Sequence, residues 1–194
     1  MRYLEETLIF ESDKIYYTDD YSTFEVMMDW EDSLMSASSA YVCEGGGDIL
    51  EIGFGMGICS DFIQQTNIKS HTIIEIHDQV FDRLLEWAKD KPNVIPIKGD
   101  WFNSIPNKKY DGIMHDTWED KNYHNFIPIA KNYLKSKGII TYYTPTPKHI
   151  IKNQFKDTNS KLTVTKVNVN PPTKNMNYKY FDRKDYYCIE IVVD

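Results

Sequence analysis

Residues 49–57 read Ile-Leu-Glu-Ile-Gly-Phe-Gly-Met-Gly, an apolar run that breaks into three glycines spaced two apart. Glycines at 53, 55 and 57 let a chain leaving a strand turn tightly and approach a ligand with no Cβ in the way. A dinucleotide fingerprint needs its third glycine at position 58, and that residue is Ile58. Glu75 ends the next β-rich run, about 20 positions after the first glycine, where an acid in strand–helix–strand proteins bonds to ribose hydroxyls. Gly99-Asp100-Trp101 follows the third run and offers a polar group beside an apolar wall. Together Glu51, Gly53, Phe54, Gly55, Gly57, Glu75, Ile76, Asp100 and Trp101 outline a site for a nucleoside-bearing cofactor.

Such a site needs strands whose ends lie side by side. From Asp48 onward short β-rich runs alternate with amphipathic stretches, which predicts a mostly parallel sheet covered by helices. Strands are expected at Asp48 to Ile52, Thr72 to Ile76, Asn93 to Ile97, Gly112 to His115 and Gly138 to Tyr143. Asp78 to Lys89 reads as a helix behind an Asp cap, with Val80, Phe81, Leu84, Leu85 and Ala88 on one face. Lys161 to Val169 and Tyr186 to Val193, separated by a loop containing Asn170-Pro171-Pro172, suggest a hairpin-like antiparallel finish. Glu25 to Tyr41 reads as a further helix with Val26, Met27, Trp30, Leu34 and Met35 on its apolar stripe. The organisation is one compact domain: residues 1–45 as a helical segment over the site, residues 46–194 as the catalytic domain.

The G-x-G-x-G turn resembles the S-adenosylmethionine loop of class I methyltransferases. A closer resemblance joins VMMDWE (26–31), LEIGFGMGI (50–58), IIEIHDQVFDRLLEWA (73–88), IPIKGDW (95–101) and YDGIMHDTW (110–118), which together are similar to the guanidinoacetate N-methyltransferase family over residues 24 to 145. The resemblance implies an α/β fold, a Rossmann-like three-layer sandwich whose seven-stranded, mostly parallel sheet has an antiparallel last strand. It implies S-adenosyl-L-methionine as methyl donor, S-adenosyl-L-homocysteine as product and no metal. It further implies that Glu31 and Asp116 grip the guanidinium of the acceptor, with Asp116 also bordering the cofactor, and with Thr117 and Thr144 lining the acceptor site. After the fifth strand that family holds the carboxylate of guanidinoacetate with backbone N–H groups. Here the stretch is Tyr143-Thr144-Pro145-Thr146-Pro147, and proline has no N–H to give.

Physical chemistry supports a paired-acid site for such a reaction. A sulfonium and a guanidinium are both cations, and two unit charges about 4 Å apart at an effective dielectric near 20 repel by about 4 kcal/mol. Two carboxylates would offset that repulsion, and a planar guanidinium matches bidentate carboxylate geometry. Protonated guanidinium is a poor nucleophile, so one carboxylate, expected to be Asp116, must take a proton as the methyl arrives. Two rival expectations keep the cofactor loop: a methyltransferase for another small amine or acid, and a cofactor-binding module without catalysis.

Composition narrows the partners. With 29 acidic and 22 basic residues the net charge is −7, the wrong sign for a protein that neutralises phosphates, so no nucleic-acid partner is expected. The partner expected instead is a small guanidino or amine substrate, with the protein a monomer or homodimer. Cys43, Cys59 and Cys188 form neither a disulfide framework nor a zinc spacing. The five histidines have no metal-ligand spacing either. The N-terminus turns acidic within six residues and no window approaches a membrane span, so a soluble, cytoplasmic protein with no membrane partner is expected.

Overall fold

Ile15 and Tyr17 alternate with Lys14, Tyr16 and Thr18, and this period of two is the local reason that residues 14–18 form a strand and not a helix. In the computed structural model, which describes residues 2–117, 120–122, 125–146, 148–154, 160–169 and 185–193, a 3-10 turn at Arg2–Glu5 leads into three short strands: β1 (Ile9–Phe10), β2 (Lys14–Thr18) and β3 (Thr23–Met28). They pair antiparallel in the order β1-β2-β3. Asp19 makes the turn between the last two, its carboxylate accepting from the N–H groups of Tyr21 and Ser22. The helix expected from Glu25 to Tyr41 is therefore present only as α1 (Asp32–Val42), after a single 3-10 turn at Asp29–Glu31. Pairing with β2 overrides the helical spacing of residues 25–31.

The strands of the larger sheet fall where the apolar runs place them: β4 (Gly47–Ile52), β5 (Ile68–Glu75), β6 (Val94–Lys98), β7 (Tyr110–His115), β8 (Leu134–Thr144), β9 (Lys161–Asn168) and β10 (Asp185–Val192). Their order is β6-β5-β4-β7-β8-β10-β9, and β10 is antiparallel to both neighbours while β4 to β8 run parallel. This is the Rossmann-like sheet with an antiparallel last strand. The loop at Asn170-Pro171-Pro172 lies outside the described residues.

Helices cover both faces. On one side α1, α2 (Ile58–Gln64) and α3 (Asp78–Ala88) pack against the sheet; Leu34, Met35 and Ile63 are fully buried around Ile49 and Met114. Burying each such side chain contributes about 1.5–3 kcal/mol. On the other side α4 (Trp101–Ser104), α5 (Phe126–Lys131) and α6 (Lys148–Gln154) bury Trp101, Phe126 and Ile151 against Leu50, Ile113 and Ile140. The cap of α3 is His77, whose ring accepts from the N–H of Gln79; Leu85, expected on its apolar face, is 45% exposed. The leader is tied to the same helix: Gln79 accepts from the Leu8 N–H at 2.7 Å and donates to its carbonyl. Among the described residues no helix is long and apolar enough to cross a membrane.

Candidate functional site

Strand order reverses between β4 and β7, and in an open α/β sheet the crevice at the carboxyl ends of such strands is where ligands bind. The register aligns those ends. Ile52 pairs with Ile74 on one side and His115 on the other, the Gly53 N–H donates to the Ile74 carbonyl, and the Asp116 N–H donates to the Ile52 carbonyl. A cleft of about 620 Å³ opens there, and Gly53, Gly55, Glu75, Asp100, Glu31 and Asp116 all reach its wall.

One half of the cleft is built by the glycine turn. Gly55 sits at φ +55°, and a Cβ there would come within 2.2 Å of the Met27 sulfur, so β3 presses directly on the loop. Met27 also accepts from the Met56 N–H at 3.0 Å. Glu75 is buried with both oxygens engaged, accepting from the N–H groups of Phe54 at 2.9 Å and His77 at 2.7 Å. Burial pushes its carboxyl above the ordinary range, while those N–H donors pull the other way. Tyr3 closes this end; its ring lies 4.8 Å from that of His77, and burial followed by the Glu75 charge raises its phenol. The site therefore has a glycine cradle, an acid at the second strand end and an aromatic lid contributed by the leader.

Glu75 holds the loop as well as facing the cleft, which sharpens its expected role. Replacing it with Ala should weaken S-adenosylhomocysteine binding about 10- to 100-fold, since charge-assisted hydrogen bonds contribute about 1.5–3 kcal/mol. It should also lower the melting temperature, because two buried N–H groups lose their acceptor. Calorimetry and a thermal melt on the same sample read both; unchanged affinity in a folded variant would show that Glu75 has no part in the cofactor site.

The other half of the cleft holds the acids. Glu31 is buried, with one oxygen accepting from the Met28 N–H at 2.9 Å and the other from the Tyr143 hydroxyl at 2.6 Å. Tyr143 and Asp116 line the same cleft wall, and the phenol helps to stabilise the Asp116 carboxylate as well as holding Glu31. Burial drives the Asp116 carboxyl well above the usual range; Glu31 and then Glu51 push the same way, and the Tyr143 hydroxyl opposes them. An acid held this way gains a proton readily and is stabilised as an anion when a cation arrives.

Most residues expected from sequence converge here. Gly53, Gly55, Glu75, Ile76, Asp100, Trp101, Asp116, Glu31, Thr117 and Thr144 reach the cleft wall. Phe54 and Gly57 shape the turn from behind: the Phe54 ring packs on Trp87 and Gly57 caps α2. Glu51 is the exception. Its side chain turns to the α2 face of the sheet, where the Ser60 hydroxyl donates to it and His71 Nε2 lies 2.9 Å away. Asp100 caps α4 by accepting from the Phe102 N–H. Sequence reasoning missed Tyr143, Met27, Tyr3 and Asp120. Asp120 accepts from Trp101 Nε1 and lies 2.9 Å from His115 Nε2. Burial would raise its carboxyl, but the bonds to His115, the Asn122 N–H and Trp101 outweigh burial and hold it low. The strand-end rule applied to β8 would have nominated Tyr142 or Tyr143.

Comparison with known proteins adds independent findings. The sequence model of the family described as guanidinoacetate N-methyltransferase matches residues 20–179. Protein arginine N-methyltransferase 2 of Candida glabrata is 31% identical over 158 residues, covering 74% of this chain and 36% of that protein. The protein of the same name in Aspergillus oryzae is 34% identical over 118 residues, covering 59% and 28%. The chain thus spans about a third of the length of these curated relatives. Among solved structures, the N-methyltransferase NodS from Bradyrhizobium japonicum WM9 matches with a TM-score of 0.62 at 14% identity, covering 84% of this chain and 96% of that one. TYW2 of M. jannaschii, solved in complex with AdoMet, matches at 0.59 and 16%, covering 96% and 88%. At these identities the structural matches establish the fold.

Proposed function

Since this chain belongs to the guanidinoacetate N-methyltransferase family, we propose that it is an S-adenosylmethionine-dependent N-methyltransferase whose acceptor is a guanidino nitrogen seated between Glu31 and Asp116. The observation that supports this most is that Glu31 and Asp116 are both buried on the wall of one cleft, where the Tyr143 hydroxyl donates to Glu31 and the Glu31 charge raises the Asp116 carboxyl, a small polar seat that also borders the glycine turn. The two family names met above share one chemical group, a guanidinium, and a guanidinium is what two facing carboxylates recognise.

The residues present fit the methyl donor. Gly53 and Gly55 bring bare backbone to the cleft wall, where a Cβ on Gly55 would collide with Met27, and Glu75 and Asp100 stand at the strand ends where ribose and adenine are expected to lie. When bound, S-adenosylmethionine supplies an electrophilic methyl group on a sulfonium. Glu31, fixed by the Met28 N–H, orients the guanidinium plane. Asp116 accepts the proton that the attacking nitrogen loses as the nitrogen–carbon bond forms and the sulfur–carbon bond breaks. Tyr143 holds Glu31 in place through its 2.6 Å bond and eases the charge on Asp116. The buried wall limits water at the reacting nitrogen, which strengthens each of these contacts.

The test is methyl transfer to a panel of guanidines and one primary amine, followed as S-adenosylhomocysteine release. Guanidines should be methylated and the amine should not. Glu31→Gln, which keeps the shape, should raise the Michaelis constant of the guanidine about 10- to 100-fold with less change for the cofactor. Methylation of the amine at a comparable rate would replace the guanidine reading with that of a small-amine enzyme. Cofactor binding without any turnover would favour a non-catalytic module.

A further inference from the structure

Beyond the carboxylate pair the cleft continues along a wall whose chemistry is lopsided. Glu75, Asp100 and Asp120 add three acids to Glu31 and Asp116, and among the described lining residues there is no Lys or Arg. The loop after β8 does not answer this charge with donors. Pro145 has no N–H, the Thr146 N–H donates to the Thr144 hydroxyl oxygen at 3.1 Å, and the Thr144 hydroxyl donates to that of Thr146 at 3.0 Å. The loop has closed on itself, leaving the Thr146 hydroxyl as its remaining side-chain donor. Val26, Met27 and Tyr186 give the wall an apolar stretch, the last packed against Tyr143 with ring centroids 6.2 Å apart. Such a surface suits methylenes and the flat face of a guanidinium.

We infer that the acceptor pocket selects a guanidinium whose neighbouring group is uncharged, and rejects one that carries a carboxylate beside it. The inference rests on Glu31 and Asp116 being the guanidinium holders. A carboxylate one methylene away from the guanidinium would meet like charges on the cleft wall with no Lys or Arg among the described lining residues to offset them, which lowers kcat/KM by about 10- to 100-fold. An uncharged neighbour has two sources, an alkyl chain in a small molecule or the backbone amides around an arginine in a polypeptide.

Guanidinoacetate and guanidinoacetamide differ at one position, charged in the first and neutral in the second, so they isolate the effect. Initial rates with the full chain should give the amide a kcat/KM about 10- to 100-fold higher, mostly through KM, and added salt should narrow the gap by screening. Ethylguanidine and a blocked tripeptide centred on arginine distinguish the two sources: both should outrun guanidinoacetate, and the faster of the two names the source. Equal or faster turnover of guanidinoacetate than of its amide would overturn the inference while leaving the guanidinium reading intact. If no guanidine is methylated but a primary amine is, both fall together.

Discussion

Asp116→Asn should lower kcat about 100- to 10,000-fold while leaving S-adenosylhomocysteine affinity nearly unchanged. The substitution keeps the shape and removes both the charge and the proton acceptor. Because burial and the charges of Glu31 and Glu51 raise the carboxyl of Asp116, the acid limb of kcat/KM for the wild type should lie above the ordinary carboxylate range. Activity rises as pH climbs through that limb, since the reactive form is the deprotonated one, and the limb should vanish in the Asn variant. Stability runs in the opposite direction. A carboxyl whose folded pKa exceeds its unfolded one favours the folded state when protonated, so its contribution is lost as pH rises from the unfolded to the folded value. Above that window the Asn variant should therefore melt no lower than wild type. Combining it with Glu31→Gln should give less than the sum of the two losses, because both side chains act on one bound cation. A double variant whose losses add fully, or an Asp116→Asn enzyme with wild-type turnover, would remove the paired-carboxylate mechanism.

Much of this arrangement is legible in the sequence because it rests on short-range chemistry. Ile49 to Gly57 shows a strand ending in a glycine turn, and Gly53 and Gly55 carry the positive φ values that such a turn demands. Glu75 and Asp116 stand at strand ends, which period and spacing locate to within a residue or two. What the sequence hides is decided by partners far along the chain. Residues 25–28 have helical spacing, yet β2 captures them as a strand, and only that geometry brings Met27 against Gly55. Tyr142 and Tyr143 are chemically identical neighbours on β8, and their faces differ: Tyr142 enters the core beside Ile113, while Tyr143 meets Glu31. Glu51 adjoins the glycine turn in sequence but alternates to the opposite face from Ile52, where His71 and Ser60 receive it. Parity along a strand, set by what covers each face, separates the site acid from the structural one.

Gly53→Ala carries the second large expected effect, and it tests how the turn and the catalytic acid depend on each other. Gly53 lies at φ +90°, and a Cβ there would stand 1.8 Å from the Asp116 carbonyl oxygen and 3.0 Å from its carbonyl carbon. Neither side can retreat easily, since the Gly53 N–H is bonded to Ile74 and the Asp116 N–H to Ile52. Left-handed strain alone costs about 1–2 kcal/mol, and the clash with backbone adds to it. A total near 3 kcal/mol corresponds to a melting temperature lower by about 6 to 12 °C for a chain of this size. Any relief requires moving the strand end that carries Asp116, so well below the melting transition the variant should still lose both cofactor affinity and turnover. Gly45→Ala is the matched control, because a Cβ there meets nothing within 4 Å. That variant should melt, bind and turn over like the wild type. If Gly53→Ala did the same, the contact between the glycine turn and the Asp116 carbonyl would be wrong, and with it the placement of the acid beside the methyl donor.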